Sequence, residues 1–141
     1  MWQVLRGVRS KDSRAFARWF AGCKGNQYTT SIHCINSAIH KCSQLTCATT
    51  VYRGVAGGVL PASFWHPNAY DVRGGVEWAF LSCTRDCEVA FAYAASKGSA
   101  SMTASVVLEL QQGMVDRGAD ISWLSQYPFE QEILLPPLTS A

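Results

Sequence analysis

The chain has 141 residues, of which 48% are hydrophobic and 16% are charged, with a formal net charge of +2. This composition fits one folded domain, residues 1–141, and excludes an intrinsically disordered chain. The charge is too small and too dispersed for a nucleic-acid-binding protein, and no apolar run approaches the roughly 18 residues of a membrane span.

The N-terminal residues and the cysteines indicate a compartment. The first six residues, MWQVLR, lack the long apolar centre of a signal peptide, so we expect a cytoplasmic protein. The chain has six cysteines, an even number that would suit disulfides in a secreted protein, but in this context we expect reduced thiols. The three histidines could join Cys34 and Cys42 at a metal, but a helix with buried thiols is the simpler interpretation, and we expect no metal.

The N-terminal third is predicted to be helical. Residues 10–20 begin with a capping serine and place three aromatic side chains on one side, which favours a short helix. Residues 30–45 favour a second helix, because four of its apolar residues recur at helical spacing and form one stripe that we expect to be buried. These four are Ile32, Ile35, Ile39 and Cys42.

The rest of the chain is predicted to consist of strands with one helix between them. A helix is predicted over residues 85–96, capped by Thr84, and residues 57–75 are rich in glycine and proline and favour a long loop. Helices followed by strands are typical of an α+β protein with a mostly antiparallel sheet. The predicted strands are 51–55, 76–82, 102–110, 119–122 and 130–135.

Two glutamates stand two positions apart near the C-terminus, in the segment FEQEILLPP. In a strand over residues 130–135, the side chains of Glu130 and Glu132 point to the same face. Two like charges in one space repel each other unless a cation lies between them, which suits an enzyme that handles a cationic group. Taken alone, the pair has another interpretation, a solvated edge strand whose charges prevent aggregation.

Other segments accompany the two glutamates in a particular order. They are VYRGV (51–55), GGVEWAFLSCT (74–84), VAFAYA (89–94) and ADISWLSQYPFEQEIL (119–134). Together they resemble the arginine-specific mono-ADP-ribosyltransferases of the Arg–Ser–Glu class, which include bacterial toxins and vertebrate ecto-enzymes. The resemblance covers most of residues 28–138. It implies a mixed, mostly antiparallel β core split around an NAD cleft, and transfer of ADP-ribose from NAD to an arginine side chain.

The resemblance also implies roles for five residues. Glu132 would stabilise the positive charge that develops on the ribose as nicotinamide leaves. Glu130 would face the acceptor, orient its guanidinium and help to remove a proton from it. Arg53 would grip the phosphates of NAD, and the backbone of Gly54 would approach the nicotinamide amide. Ser82 would bind NAD and hold Glu132 in place.

Three further residues follow from the same resemblance. The triplet Ser-Cys-Thr at 82–84 replaces the family's usual Ser-Thr-Ser or Ser-Thr-Thr, so Thr84 keeps a hydroxyl for NAD and Cys83 is expected to face away. Lys97 would contact NAD from a loop that touches phosphate and nicotinamide, although a plain surface loop is equally compatible with the segment. Tyr127 would lie against the acceptor arginine, unless it only packs the turn before Pro128.

Several alternatives remain open at this point. The same residues would serve an NAD glycohydrolase with water as acceptor, or a binding module without turnover. Arg53 would have a purely structural role if it formed a buried ion pair with Glu109 or Glu77. The chain contains no Gly-x-Gly-x-x-Gly, so NAD would not be held as in a Rossmann fold. The expected partners are NAD, as a substrate, and an arginine-bearing protein, with no nucleic acid, membrane or metal.

Overall fold

The computed structural model describes residues 21–22, 25–56, 59–95 and 105–140. The chain divides into two units, Met1–Ser37 and Ala38–Ala141, while the prediction of one domain stays a prediction. Among the described residues, no helix is both long enough and apolar enough to cross a membrane. The helix predicted over residues 10–20 and the first part of the strand predicted over 102–110 lie outside the described residues.

Helix α1 spans Thr29–Ser43 and confirms the helix predicted over residues 30–45. The side chain of Ile39 is buried, and the other members of the predicted apolar stripe, Ile32, Ile35 and Cys42, are partly buried. At its C-terminal end the Ser43 hydroxyl donates a hydrogen bond to the carbonyl of His40 at 2.9 Å. Basic residues in this last turn, His40 and Lys41, suit the negative end of the helix dipole.

A five-stranded antiparallel sheet organises the second unit. Its strands are β1 (Thr50–Val55), β3 (Leu81–Thr84), β4 (Val106–Gln111), β5 (Ala119–Asp120) and β6 (Glu132–Leu135). They lie in the order β4-β1-β3-β6-β5, and every neighbouring pair is antiparallel. Two short strands, β2 (Val76–Glu77) and β7 (Thr139–Ser140), form a separate antiparallel pair. The predicted α+β class with a mostly antiparallel sheet is confirmed.

One face of the large sheet carries the core. Its members are alternate residues of three adjacent strands: Val51, Leu81, Cys83, Ile133 and Leu135. Cys83 therefore lies on the face opposite to Ser82, as the triplet predicted. Burial raises the pKa of the Cys83 thiol to about 12, so this cysteine is an inert core residue. The cysteines of the described part of the chain, Cys83 included, are free thiols.

The prediction of one strand over residues 76–82 is wrong. The segment forms β2 and β3, and residues 78–80 interrupt them. The two parts pair with different partners, because β2 pairs with β7 whereas β3 pairs with β6. The Glu77 carboxylate accepts the N–H of Ala79 at 3.4 Å within the interruption. The sequence VEWAFLS is mostly apolar and gives no sign of this break, because an apolar pattern does not show where a strand changes its pairing partner.

Helix α2 spans Cys87–Ala95 and is shorter than the predicted helix over 85–96. Asp86 rather than Thr84 caps it, because the Asp86 carboxylate accepts the N–H of Glu88 at 2.9 Å. Thr84 supports the cap from outside, where its hydroxyl accepts the N–H of Asp86 at 3.0 Å. The small side chains of α2 allow the helix backbone to approach the sheet closely.

This close approach occurs at Gly54 of β1. A Cβ atom at this position would lie 2.0 Å from the carbonyl oxygen of Ala90 and 2.9 Å from the amide nitrogen of Ala94. Real Cβ atoms do not approach backbone atoms so closely, so any side chain would push α2 away from β1. The glycine in VYRGV therefore fixes the position of α2.

We expect Gly54→Ala to lower the free energy of unfolding by about 3 kcal/mol, because the added methyl group overpacks the contact between β1 and α2. Urea denaturation of both proteins measures the difference. Gly113→Ala is the matched control, since a Cβ atom there meets no atom within 4 Å. Equal stabilities of the two variants would contradict the packing role of Gly54.

Candidate active site

Glu132 is held by hydroxyl groups at both of its carboxylate oxygens. Strands β3 and β6 are adjacent, with Thr84 paired to Glu132, so Ser82 and Glu132 lie on the same face of the sheet. The Ser82 hydroxyl donates to Oε1 of Glu132 at 2.6 Å, and the Ser125 hydroxyl donates to Oε2 at 3.2 Å. The carboxylate is half-buried and fixed in orientation by these two hydrogen bonds.

Ser125 belongs to a turn that is connected to β6 by backbone hydrogen bonds. The N–H of Ile121 donates to the carbonyl of Glu132 at 3.0 Å, and the N–H of Ser125 donates back to the carbonyl of Ile121 at 2.9 Å. The Ser125 hydroxyl also accepts the N–H of Tyr127 at 3.1 Å. No role for Ser125 was predicted, because a serine in a loop seven positions before Glu132 carries no local pattern that indicates this contact.

Glu130 is not in a strand, so the predicted strand over residues 130–135 is wrong at its first two positions. Pro128–Glu130 form a 3₁₀ helix, and β6 begins only at Glu132. Gln131 lies between them in the left-handed region, with φ 46° and ψ 53°. A positive φ at this position breaks the two-residue alternation, so strand periodicity does not determine where the Glu130 side chain points.

Two residues from other elements contact Glu130, one at its backbone carbonyl and one at its carboxylate. Its carbonyl accepts the hydroxyl of Thr84 at 2.5 Å, and its Oε1 accepts the hydroxyl of Tyr93 at 2.7 Å. The hydrogen bond to Glu130 is the largest of several causes that raise the pKa of Tyr93, and the charge of Glu132 also contributes. The hydrogen bond from Tyr93 thus connects α2 to the turn that carries Glu130.

Thr84 and Gly54 both make contacts within the protein that position neighbouring elements. Thr84 is buried, and its hydroxyl bonds the carbonyl of Glu130 and the N–H of Asp86. This hydroxyl positions the turn that carries Glu130, and its predicted contact with NAD stays a prediction. Gly54 allows the contact with α2 described above, which leaves its predicted backbone contact with nicotinamide as a separate prediction.

Arg53 contacts the site through the backbone of β3. Strands β1 and β3 pair at one position, Tyr52 with Thr84. Beyond that pair the Arg53 guanidinium donates from Nη1 to the carbonyl of Ser82 at 2.5 Å. The Arg53 side chain therefore donates a hydrogen bond to the Ser82 carbonyl, close to the pair that joins β1 to β3. Within the described part of the chain its hydrogen bond goes to this carbonyl rather than to Glu109 or Glu77.

The loop before Glu130 exposes several apolar side chains. Tyr127 is about half-exposed, and its ring meets that of Phe129 edge to face, with centroids 6.0 Å apart and an interplanar angle of 68°. Trp123, Leu124 and Phe129 are more exposed still. Tyr127 thus packs within its own loop and also presents part of its ring to solvent. Lys97 lies outside the described residues.

An ion pair joins Asp120, the last residue of β5, to Arg85, which directly follows β3. Arg85 donates to the carboxylate of Asp120 at 2.8 Å, and the N–H of Ser122 donates to the same carboxylate at 3.0 Å. Burial favours the neutral acid, but the hydrogen bonds from Ser122 and the charge of Arg85 outweigh it and lower the pKa of Asp120. Asp120 also lines an open cavity of about 510 Å³, with Cys42, Leu45, Thr46, Ser122 and Trp123, whose lining includes neither glutamate.

No protein-family model, curated protein or solved structure matches this chain. In the part of the chain that the structure describes, no three histidine, cysteine, aspartate or glutamate side chains group closely enough to hold a metal ion. The functional assignment therefore depends on the residues named above and on their geometry.

Proposed function

We propose that this protein transfers ADP-ribose from NAD to the side chain of an arginine in a protein acceptor and releases nicotinamide. The observation that carries the proposal is the carboxylate of Glu132, held at both oxygens by Ser82 and Ser125. The sequence resemblance to arginine-specific mono-ADP-ribosyltransferases supports the same reaction, and this geometry is compatible with it.

Glu132 is suited to the bond-breaking step. The bond between nicotinamide and ribose breaks, its electron pair leaves with the nicotinamide nitrogen, and positive charge develops on the ribose. A carboxylate beside that ribose is more favourable in the transition state than in the ground state. Because Ser82 and Ser125 already hold Glu132, the carboxylate needs no reorientation when the charge appears.

Glu130 is suited to the acceptor side. A guanidinium is positively charged and is a poor nucleophile, so its attack requires the removal of a proton. In the proposed step one guanidinium nitrogen forms a bond with the ribose carbon that carried nicotinamide, and Glu130 accepts the proton from that nitrogen. The products are the ADP-ribosylated arginine, nicotinamide and one proton, so atoms and charge balance.

Arg53 is suited to binding the phosphates of NAD. Its guanidinium is fixed at one nitrogen by the Ser82 carbonyl, and its planar fork can bind phosphate oxygens through the remaining donors. We propose that NAD lies beside Arg53, near the pair that joins β1 to β3, and that this position corresponds to the cleft that the resemblance implies. In this arrangement the backbone of Gly54 would lie beside the nicotinamide amide.

Ser82→Ala is expected to lower the rate of nicotinamide release about tenfold or more, because Glu132 loses its shorter hydrogen bond and the strength of such a bond to a charged group is about 1.5–3 kcal/mol. A steady-state assay of nicotinamide release measures this effect. Ser140→Ala is the matched control, because Ser140 is an exposed serine of β7, outside the large sheet. A Ser82→Ala protein as active as this control would contradict the role of Ser82.

The proposal is tested by nicotinamide release from NAD with and without agmatine, a small acceptor that carries a guanidine group. We expect the wild-type protein to release nicotinamide and agmatine to increase the rate. Release that agmatine does not change, with free ADP-ribose as the product, would favour an NAD glycohydrolase. The absence of release from folded protein would overturn the proposed function.

A further inference from the structure

Tyr93 lies where helix α2 meets the two glutamates. The neighbouring helical residues Ala90 and Ala94 are buried, and they meet β1 at Gly54 without room for a side chain. The position of α2 is therefore fixed by close packing, and the position of Tyr93 is fixed with it. The Tyr93 side chain itself is about half-exposed.

The Tyr93 hydroxyl contacts Glu130 directly. It donates to Oε1 at 2.7 Å, a short hydrogen bond to a charged acceptor. The raised pKa of Tyr93 keeps the phenol protonated through the neutral and mildly alkaline range, where it acts as a donor. The charges of Glu132 and Tyr127 also raise the pKa of Tyr93.

Glu130 needs such a partner because of its own backbone. It ends a 3₁₀ helix and precedes the left-handed Gln131, so no sheet ladder fixes the direction of its side chain. Thr84 holds only the carbonyl of Glu130. Among the residues that the structure describes, Tyr93 is the group that bonds the Glu130 carboxylate, at Oε1, and in the proposed reaction Oε2 faces the guanidinium.

We propose that Tyr93 is a positioning residue that orients Glu130 toward the guanidinium of the acceptor and so favours transfer to arginine over hydrolysis of NAD. This inference depends on the proposed function. It adds a specificity role for α2, whose sequence, CEVAFAYAA, gives no local sign of one. If the Tyr93 hydroxyl only connected α2 to the turn, its removal would change transfer to arginine and hydrolysis of NAD by the same factor.

The test is Tyr93→Phe, which keeps the ring and removes the hydroxyl. We expect the ratio of ADP-ribosylated agmatine to free ADP-ribose to fall about tenfold, the effect of one hydrogen bond to a charged group. Tyr70→Phe is the matched control, because Tyr70 is exposed and lies in the loop before β2, and its product ratio should equal that of the wild type. Denaturation midpoints establish that both variants are folded.

A double-mutant cycle gives an independent measurement. If Tyr93 acts through Glu130, the substitution Tyr93→Phe should change the product ratio much less in a Glu130→Gln background than in the wild type. A wild-type protein that transfers ADP-ribose to agmatine, with a Tyr93→Phe variant of equal product ratio, would overturn this inference alone. A folded wild-type protein that releases no nicotinamide would overturn the proposed function, and this inference with it.

Discussion

Glu132→Gln is expected to lower nicotinamide release from NAD about a thousandfold, the effect of removing one group that stabilises transition-state charge. The amide keeps the size of the side chain but has no negative charge to place beside the ribose. It also offers one acceptor oxygen where Ser82 and Ser125 now donate to two. The substitution should leave the sheet intact, since Glu132 is outside the apolar core.

The assay compares nicotinamide release by wild type, Glu132→Gln and Glu109→Gln at saturating NAD. Glu109 is the matched control, because it is an exposed carboxylate of the same sheet, in β4. We expect Glu109→Gln to retain the wild-type rate. A Glu132→Gln protein that is folded and as active as wild type would remove this carboxylate from the mechanism.

Glu130→Gln is expected to lower transfer to agmatine about a hundredfold, within the usual contribution of a general base, and to lower NAD hydrolysis much less. The reason is that the two carboxylates act on different groups in the proposed reaction. Glu132 acts on the ribose and is needed whichever acceptor attacks, whereas Glu130 removes the proton of a guanidinium, and water needs this help less than arginine does.

The measurement is the amount of ADP-ribosylated agmatine and of free ADP-ribose formed in the same reaction. Glu88→Gln is the control, because Glu88 is an exposed carboxylate in the first turn of α2, on the same helix as Tyr93. Equal losses of the two products in Glu130→Gln would show that Glu130 does not act on the acceptor side.

Local patterns predicted the type of most secondary-structure elements. Helix α1 followed from the spacing of its isoleucines, and β1 followed from a run of β-branched and aromatic residues. The orientation of Ser82 and Cys83 was also predicted, because consecutive residues of a strand point to opposite faces of the sheet. These features depend on residues close in sequence, which is the range over which periodicity is informative.

Features set by tertiary contacts were not predictable in the same way. The left-handed Gln131 keeps Glu130 out of β6, which begins at Glu132, although a glutamine gives no signal for a positive φ. The contacts that Ser125 and Tyr93 make with the glutamates join segments whose proximity depends on the whole sheet. The sequence predicted that strand alternation would place the two carboxylates on one face, but Glu130 lies outside β6, so their action as a pair stays a prediction.

Mass analysis of agmatine after incubation with NAD and the wild-type protein tests the central claim most directly. We expect agmatine to gain one ADP-ribose group when wild-type protein is present, and no gain when Glu132→Gln replaces it. Agmatine of unchanged mass, in a reaction where folded wild-type protein has released nicotinamide, would contradict transfer to arginine.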